Sequence, residues 1–301
     1  MRGVSNHEAP GRAPGGMEHR IMSDIASSEC NGTRRLCRGI PTPERAARAT
    51  FFAVAALLFA ASAIATVVGS RSMMTIGGLP MSGGWMLSVI WTRMCGESWL
   101  GAAASFLVMW TAMMPAMMLP ALLPVLWRYR RAFGRTAANA ADRLTALVGA
   151  GYFVVWTLLG AAIFPLGAAL AAIEMQQPML ARAAPLAAGI VVLIAGALQF
   201  TAWKTDHLAC FRAAPAHPLP ADAAAAFRHG LRLGLHCSAG SAGLTAILLV
   251  SGLMDLRVMA VVTAAITLER LAPSGQATAR AIGAVACAAG LALIAHAASL
   301  G

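Results

Sequence analysis

The chain has 301 residues, 58% of them hydrophobic and only 12% charged, and the apolar residues fall in long blocks. That composition excludes an ordinary soluble domain and indicates an all-α fold, a polytopic bundle of transmembrane helices. The net charge of +11 is almost wholly arginine, with Lys204 as the one lysine. It clusters in the tail and loops, a pattern that sets membrane topology and argues against nucleic-acid binding.

Residues 1–46 are rich in Gly, Pro, Ser and Arg, lack hydrophobic periodicity and include His7, His19, Cys30 and Cys37, so they read as a disordered basic tail on the cytoplasmic side. No cleavable secretory signal is visible at the start, which makes the first apolar block, Thr50 to about Ser70, an anchor. Residues 71–98 follow as an external loop rich in Met, Gly and Trp, where Met73, Met74, Met81, Met86, Met94 and Cys95 offer soft donors. The same residues also suit an apolar loop dipping into lipid headgroups.

The second predicted helix, about Leu100 to Trp127, ends in the basic run Arg128-Tyr-Arg-Arg, continuing to Arg143, which belongs inside. The third runs from about Leu144 to Ile173 and leads into the weakly charged turn 174–182, outside. The fourth, about Ala184 to Ala202, ends at Trp203-Lys-Thr-Asp-His-Leu-Ala-Cys-Phe-Arg212, before an inside Ala/Pro-rich connection at 213–231. The fifth starts near Leu233 and carries His236 and Cys237 in a run of small residues that permits close helix packing. It ends at the tight external turn Met254-Asp-Leu-Arg257. A short sixth helix spans about Val258 to Leu271, and a seventh about Ala279 to Leu300. The count is therefore about seven crossings, or six if the short helix does not cross, with the amino end inside.

The richest stretch is Trp110-Thr-Ala-Met-Met-Pro-Ala-Met-Met-Leu-Pro120. At helical spacing Met109, Met113 and Met117 form one stripe, and Met114 and Met118 the adjoining one, so thioethers can converge. Thioethers favour soft ions, Cu(I) above all. The competing reading is that methionine fills irregular gaps in a helix bundle. Pro115, Pro120 and Pro124 should kink the helix, and carbonyls freed at Thr111 and Ala116 must find partners inside the bundle, because lipid offers none.

The topology brings Asp206, His207 and Cys210, then His236 and Cys237, then Glu269 to one depth near the cytoplasmic face, with Met117 and Met118 approaching it. Imidazole, thiolate, carboxylate and thioether donors together suit copper or another late transition metal. Each group also has an ordinary explanation: Asp206 and His207 as solvated loop residues, Glu269 as a bundle cap or partner of loop arginines. Cys287 and His296 read as a small buried thiol and an interfacial histidine. No GxSxG, GxxxxGK[ST], HExxH or GxGxxG pattern stands in its proper context, which argues against an enzyme.

At these residues the chain resembles the predicted metal-binding integral membrane proteins of domain of unknown function 2182, some members of which are described as copper chaperones. The likeness covers roughly residues 73–285. It rests on Trp99-Leu-Gly-Ala-Ala-Ala-Ser-Phe, the 109–120 methionine run, Leu198-Gln-Phe-Thr-Ala-Trp-Lys204, His236-Cys237, Gly252-Leu-Met-Asp-Leu-Arg-Val-Met259 and Glu269-Arg-Leu-Ala-Pro273. The resemblance implies metal handling. It also implies a cysteine-rich CxxCC run on helix five, of which only Cys237 remains here, with Gly240 and Ser241 at the other thiol positions and His207 where many members carry cysteine. Fewer thiolates should weaken such a site.

The expected ligand set is Met113, Met114, Met117, Met118, His207, Cys210, His236, Cys237 and Glu269, and the expected cargo is Cu(I). Expected partners are the lipid bilayer of a bacterial-type inner membrane and a protein that donates or accepts the metal. A secondary metal transporter and a structural assembly factor without metal are the alternatives.

Overall fold

The computed structural model describes residues 43–81, 86–93, 96–133, 138–212 and 222–300. The tail to residue 42, Met94, Cys95 and the greater part of the 213–231 connection, with His217, lie outside the described residues. The chain divides into two compact units, 1–54 and 55–301. In the first, the described part is helical from Pro43, with proline at the first helical position, where its missing N–H costs nothing. There the Arg48 guanidinium lies over the Phe52 ring.

The described residues form α1 (Pro43–Ile76), a short antiparallel hairpin of β1 (Gly78–Pro80) and β2 (Met86–Ser88), a 3-10 turn at Val89–Trp91, and then α2 (Trp99–Ala132), α3 (Ala138–Gln176), α4 (Pro178–Leu198), α5 (Ala202–Arg212), α6 (Ala223–Ser251), α7 (Leu256–Leu271) and α8 (Gly275–Leu300). The all-α bundle is as expected. Six of these helices are long and apolar enough to cross a membrane, α1 to α4, α6 and α8. The sixteen residues of α7 reach about 24 Å, short of a ~30 Å hydrocarbon core.

Several elements depart from their predicted limits. The 71–98 segment is not all loop: α1 continues to Ile76 and stops at Gly77, whose φ of +81° suits glycine. Predicted helix four ends at Leu198, and α5 is a separate helix. Helix α6 begins ten residues early, because Asp222 caps it by accepting from the Ala225 N–H, and an alanine run follows. In the same way Asp255 accepts from the Arg257 and Val258 N–H groups and starts α7 directly after the Gly252 turn.

Helix α2 stays helical through all three prolines. The Ser62 hydroxyl of α1 enters its ladder, accepting from the Ala116 N–H at 3.0 Å and donating to the Ala112 carbonyl. It thus bridges the pair that would otherwise bond directly, one of the recognised causes of helix bending. Below this point Trp110 donates its indole N–H to the Trp156 carbonyl at 2.8 Å, its ring lying where a Gly160 side chain would stand. Trp110 and Phe164 flank Phe106, which also meets Trp91 of the 3-10 turn.

Glycine seams set the helix directions. Gly230 and Gly234 of α6 lie on the backbone of Val148 and Tyr152 in α3, so α3 and α6 run parallel. Gly189 meets Ile294 and Gly196 meets Cys287, which makes α4 and α8 antiparallel. Between them α7 carries the chain from the Gly252 turn back to the level of Cys237.

Candidate metal centre

His207 and His236 come together from α5 and α6, ring centroids 5.6 Å apart. Two imidazoles that share one ion at about 2.0–2.1 Å hold their centroids roughly 5–6.5 Å apart, so the separation suits a common ligand. His207 Nδ1 lies 2.8 Å from the Trp203 carbonyl oxygen. A carbonyl only accepts, so Nδ1 carries the proton and the Nε2 lone pair is left for a ligand, the outer-shell arrangement that orients metal-binding imidazoles. Gly240, one turn beyond His236, permits this approach: a side chain there would lie 3.3 Å from the His207 Cβ.

Immediately behind the pair lies a buried polar joint. Lys204 and Glu269 are 4% and 1% exposed, and Lys204 Nζ donates to Glu269 Oε2 at 2.7 Å and to the Gly240 carbonyl at 2.6 Å. Gln199 donates to the other carboxylate oxygen at 2.9 Å. Glu269 is therefore fully engaged, and its partner is Lys204 rather than a loop arginine. Arg270 donates to the Cys237 carbonyl at 3.2 Å and stacks over the Phe211 ring at 4.0 Å. Arg212 reaches the carbonyls of Glu269, Arg270 and Ala272, the last groups of α7, which have no partner within that helix. Four elements thus meet at one knot of charge-assisted hydrogen bonds.

The other expected ligands divide between interior and surface. Met113, Met114, Met117 and Met118 are all buried on α2, none more than 2% exposed. Cys237 is buried too, and its thiol shares a 2.7 Å hydrogen bond with the Tyr152 hydroxyl of α3, while Ser241 donates to its carbonyl. Successive residues on a helix point about 100° apart. His236 accordingly faces α5 while Cys237 faces α3. Cys210 is exposed on α5, as is Asp206. Among the described residues, no group of three or more His, Cys, Asp and Glu side chains gathers as a ready-made metal site.

Residue spacing alone missed Lys204, Gln199, Tyr152, Arg212 and Arg270. A signal for Lys204 was present: one lysine in a chain otherwise basic only through arginine, placed at the edge of an apolar helix. Nothing in the spacing announced Tyr152.

The fold and site define an all-α bundle of long apolar helices, with a buried charged knot behind a histidine pair and a buried methionine stripe on α2. A family model described as PpoB2, copper chaperone, matches residues 107–293, and the chain belongs to that family. The match takes in the methionine stripe, both histidines, Cys237 and the polar joint. No curated protein and no solved structure matches the chain.

Proposed function

We propose that this protein is an integral membrane, non-enzymatic Cu(I)-handling protein that receives or delivers the ion through histidine, cysteine and methionine donors. The observation that carries the reading is the His207–His236 pair, with Nδ1 of His207 held by the Trp203 carbonyl. Family membership supports copper as the cargo. In this reading the imidazole pair is where the ion rests, and Cys237 with Met113, Met114, Met117 and Met118 supplies softer donors deeper in the bundle that take part when the ion is passed on. Cys210 and Glu269 are peripheral to it.

The apolar helices sit in a bacterial-type inner membrane in the manner of the metal-binding membrane proteins the sequence resembles. The arginine-dense segments around 128–143 and 203–232 face the cytoplasm together with the amino end, and α7 is a shortened seventh traverse. A metal donor or acceptor protein completes the exchange. The test is Cu(I) competition titration of the full chain in detergent against M113L/M117L/H236Q/C237S, whose changes keep side-chain volume close to the original. Wild type should bind up to one Cu(I) and the variant markedly less; equal binding would sink the reading. A secondary transporter is favoured instead by the Ser62 insertion in proline-bearing α2, since interrupted helices line transport sites. Copper uptake into proteoliposomes by the purified protein would select it.

A further inference from the structure

We infer that Lys204 and Glu269, which are not placed to touch the metal, position the copper site by fixing the short helix α5 against α6 through α7. The inference rests on the reading of His207 and His236 as an ion-binding pair. Helix α5 has only eleven residues, with no long apolar face to hold its angle. Leu208 and Phe211 are its buried apolar contacts, and beside them two polar clamps reach the end of α7. At its start, Lys204 joins Glu269 and the Gly240 carbonyl; at its end, Arg212 takes the carbonyls of Glu269 and Ala272.

His207 lies three residues from Lys204, on the adjacent turn of α5. His236 lies four residues from Gly240, one turn away on α6. The Lys204 ammonium of α5 therefore ties the segment that carries His207 to the α6 backbone that carries His236 through its 2.6 Å bond to the Gly240 carbonyl, and to the end of α7 through its 2.7 Å bond to Glu269. Gln199 holds the second carboxylate oxygen and keeps Glu269 turned toward Lys204. With the ammonium gone, Gly240 loses its donor and α5 is held only near its far end, by Phe211 under Arg270 and by the Arg212 clamp, four and five residues beyond His207. The imidazoles then no longer share a fixed separation. This gives α7 a purpose that fits its length: it serves as a brace ending at the site, and Glu269 in its last turn is the bracing group.

The experiment uses full-length protein in detergent with Cu(I) alone as the probe, read by competition titration and by the number of imidazoles per copper in X-ray absorption. Outer-shell partners of metal ligands typically set affinity by 10–100-fold, so K204M should lose about ten-fold or more and fall from two imidazoles to one. Because K204M strands a buried carboxylate, the double variant K204M/E269M is measured beside it; it removes both charges and should regain the wild-type melting temperature without regaining affinity. The isosteric E269Q should lie between wild type and K204M, and K204R should recover part of the loss. Wild-type affinity and two imidazoles in either folded K204M/E269M or E269Q would overturn the positioning role. Failure of the underlying reading looks different: H207Q/H236Q would then bind Cu(I) as wild type does.

Discussion

The α2 methionine stripe and the α5–α6–α7 joint hold the two halves of the expected ligand set, and they are built on opposite principles. Along the stripe, four thioethers are buried on a helix secured by aromatic packing, by Trp110 on Trp156 and by the Ser62 bridge. No charge takes part. At the joint, two half-buried imidazoles sit on helices positioned by a buried ion pair, by Arg212 bonds to the carbonyls at the end of α7 and by an Arg270 bond to the Cys237 carbonyl within α6. A ligand on the stripe is placed by volume, whereas a ligand at the joint is placed by electrostatics. The stripe should therefore tolerate changes that keep volume, and the joint should not tolerate changes that keep volume but lose charge.

The largest expected effect breaks the joint. K204M retains length and apolar stem but leaves the Glu269 carboxylate buried without its cation, which should cost about 3–5 kcal/mol, seen as a large fall in melting temperature in detergent. A fall no greater than that of a surface substitution would mean that the carboxylate finds another partner. The next effect sharpens the stripe. M113A and M117A should each cost roughly 2–5 kcal/mol by cavity formation, whereas M113L or M117L should cost under about 1.5 kcal/mol. If the leucine variants keep the fold and lose Cu(I) affinity, the thioethers are donors as well as filling.

The helix pattern was legible in sequence because apolar blocks of membrane length leave few alternatives. Hydropathy marks where a helix meets its apolar surroundings, however, and not where its hydrogen bonds stop. That is why α2 runs on to Ala132 through arginines and α6 begins at Ala223. The individual site residues were legible as types, since His236 beside Cys237 is unusual in an apolar helix. Their partners were not. Helical spacing brings side chains together only along one helix, and Lys204 with Glu269, or Tyr152 with Cys237, are separated by 65 and 85 residues and meet only through packing between helices, the second pair along the α3–α6 glycine seam.

Smaller effects test the edges of the same contrast. S62A leaves the Ala116 N–H buried without its acceptor and should cost roughly 1–3 kcal/mol, read by thermal unfolding; no change would mean that Ala112 and Ala116 pair directly. C210S, on the exposed side of α5, should change stability by no more than about 0.5 kcal/mol and leave Cu(I) affinity as it was. A clear loss of affinity would bring that thiol into the site.

The central claim is that His207 and His236 form one ion-binding pair. Its most direct measurement is X-ray absorption at the copper edge of full-length protein loaded with one equivalent of Cu(I), set against H207Q/H236Q of unchanged melting temperature. The account predicts two imidazoles per copper in the wild type and none in the variant, with a matching loss of affinity. A copper held by sulfur alone in the wild type, or the same spectrum in both proteins, would contradict it.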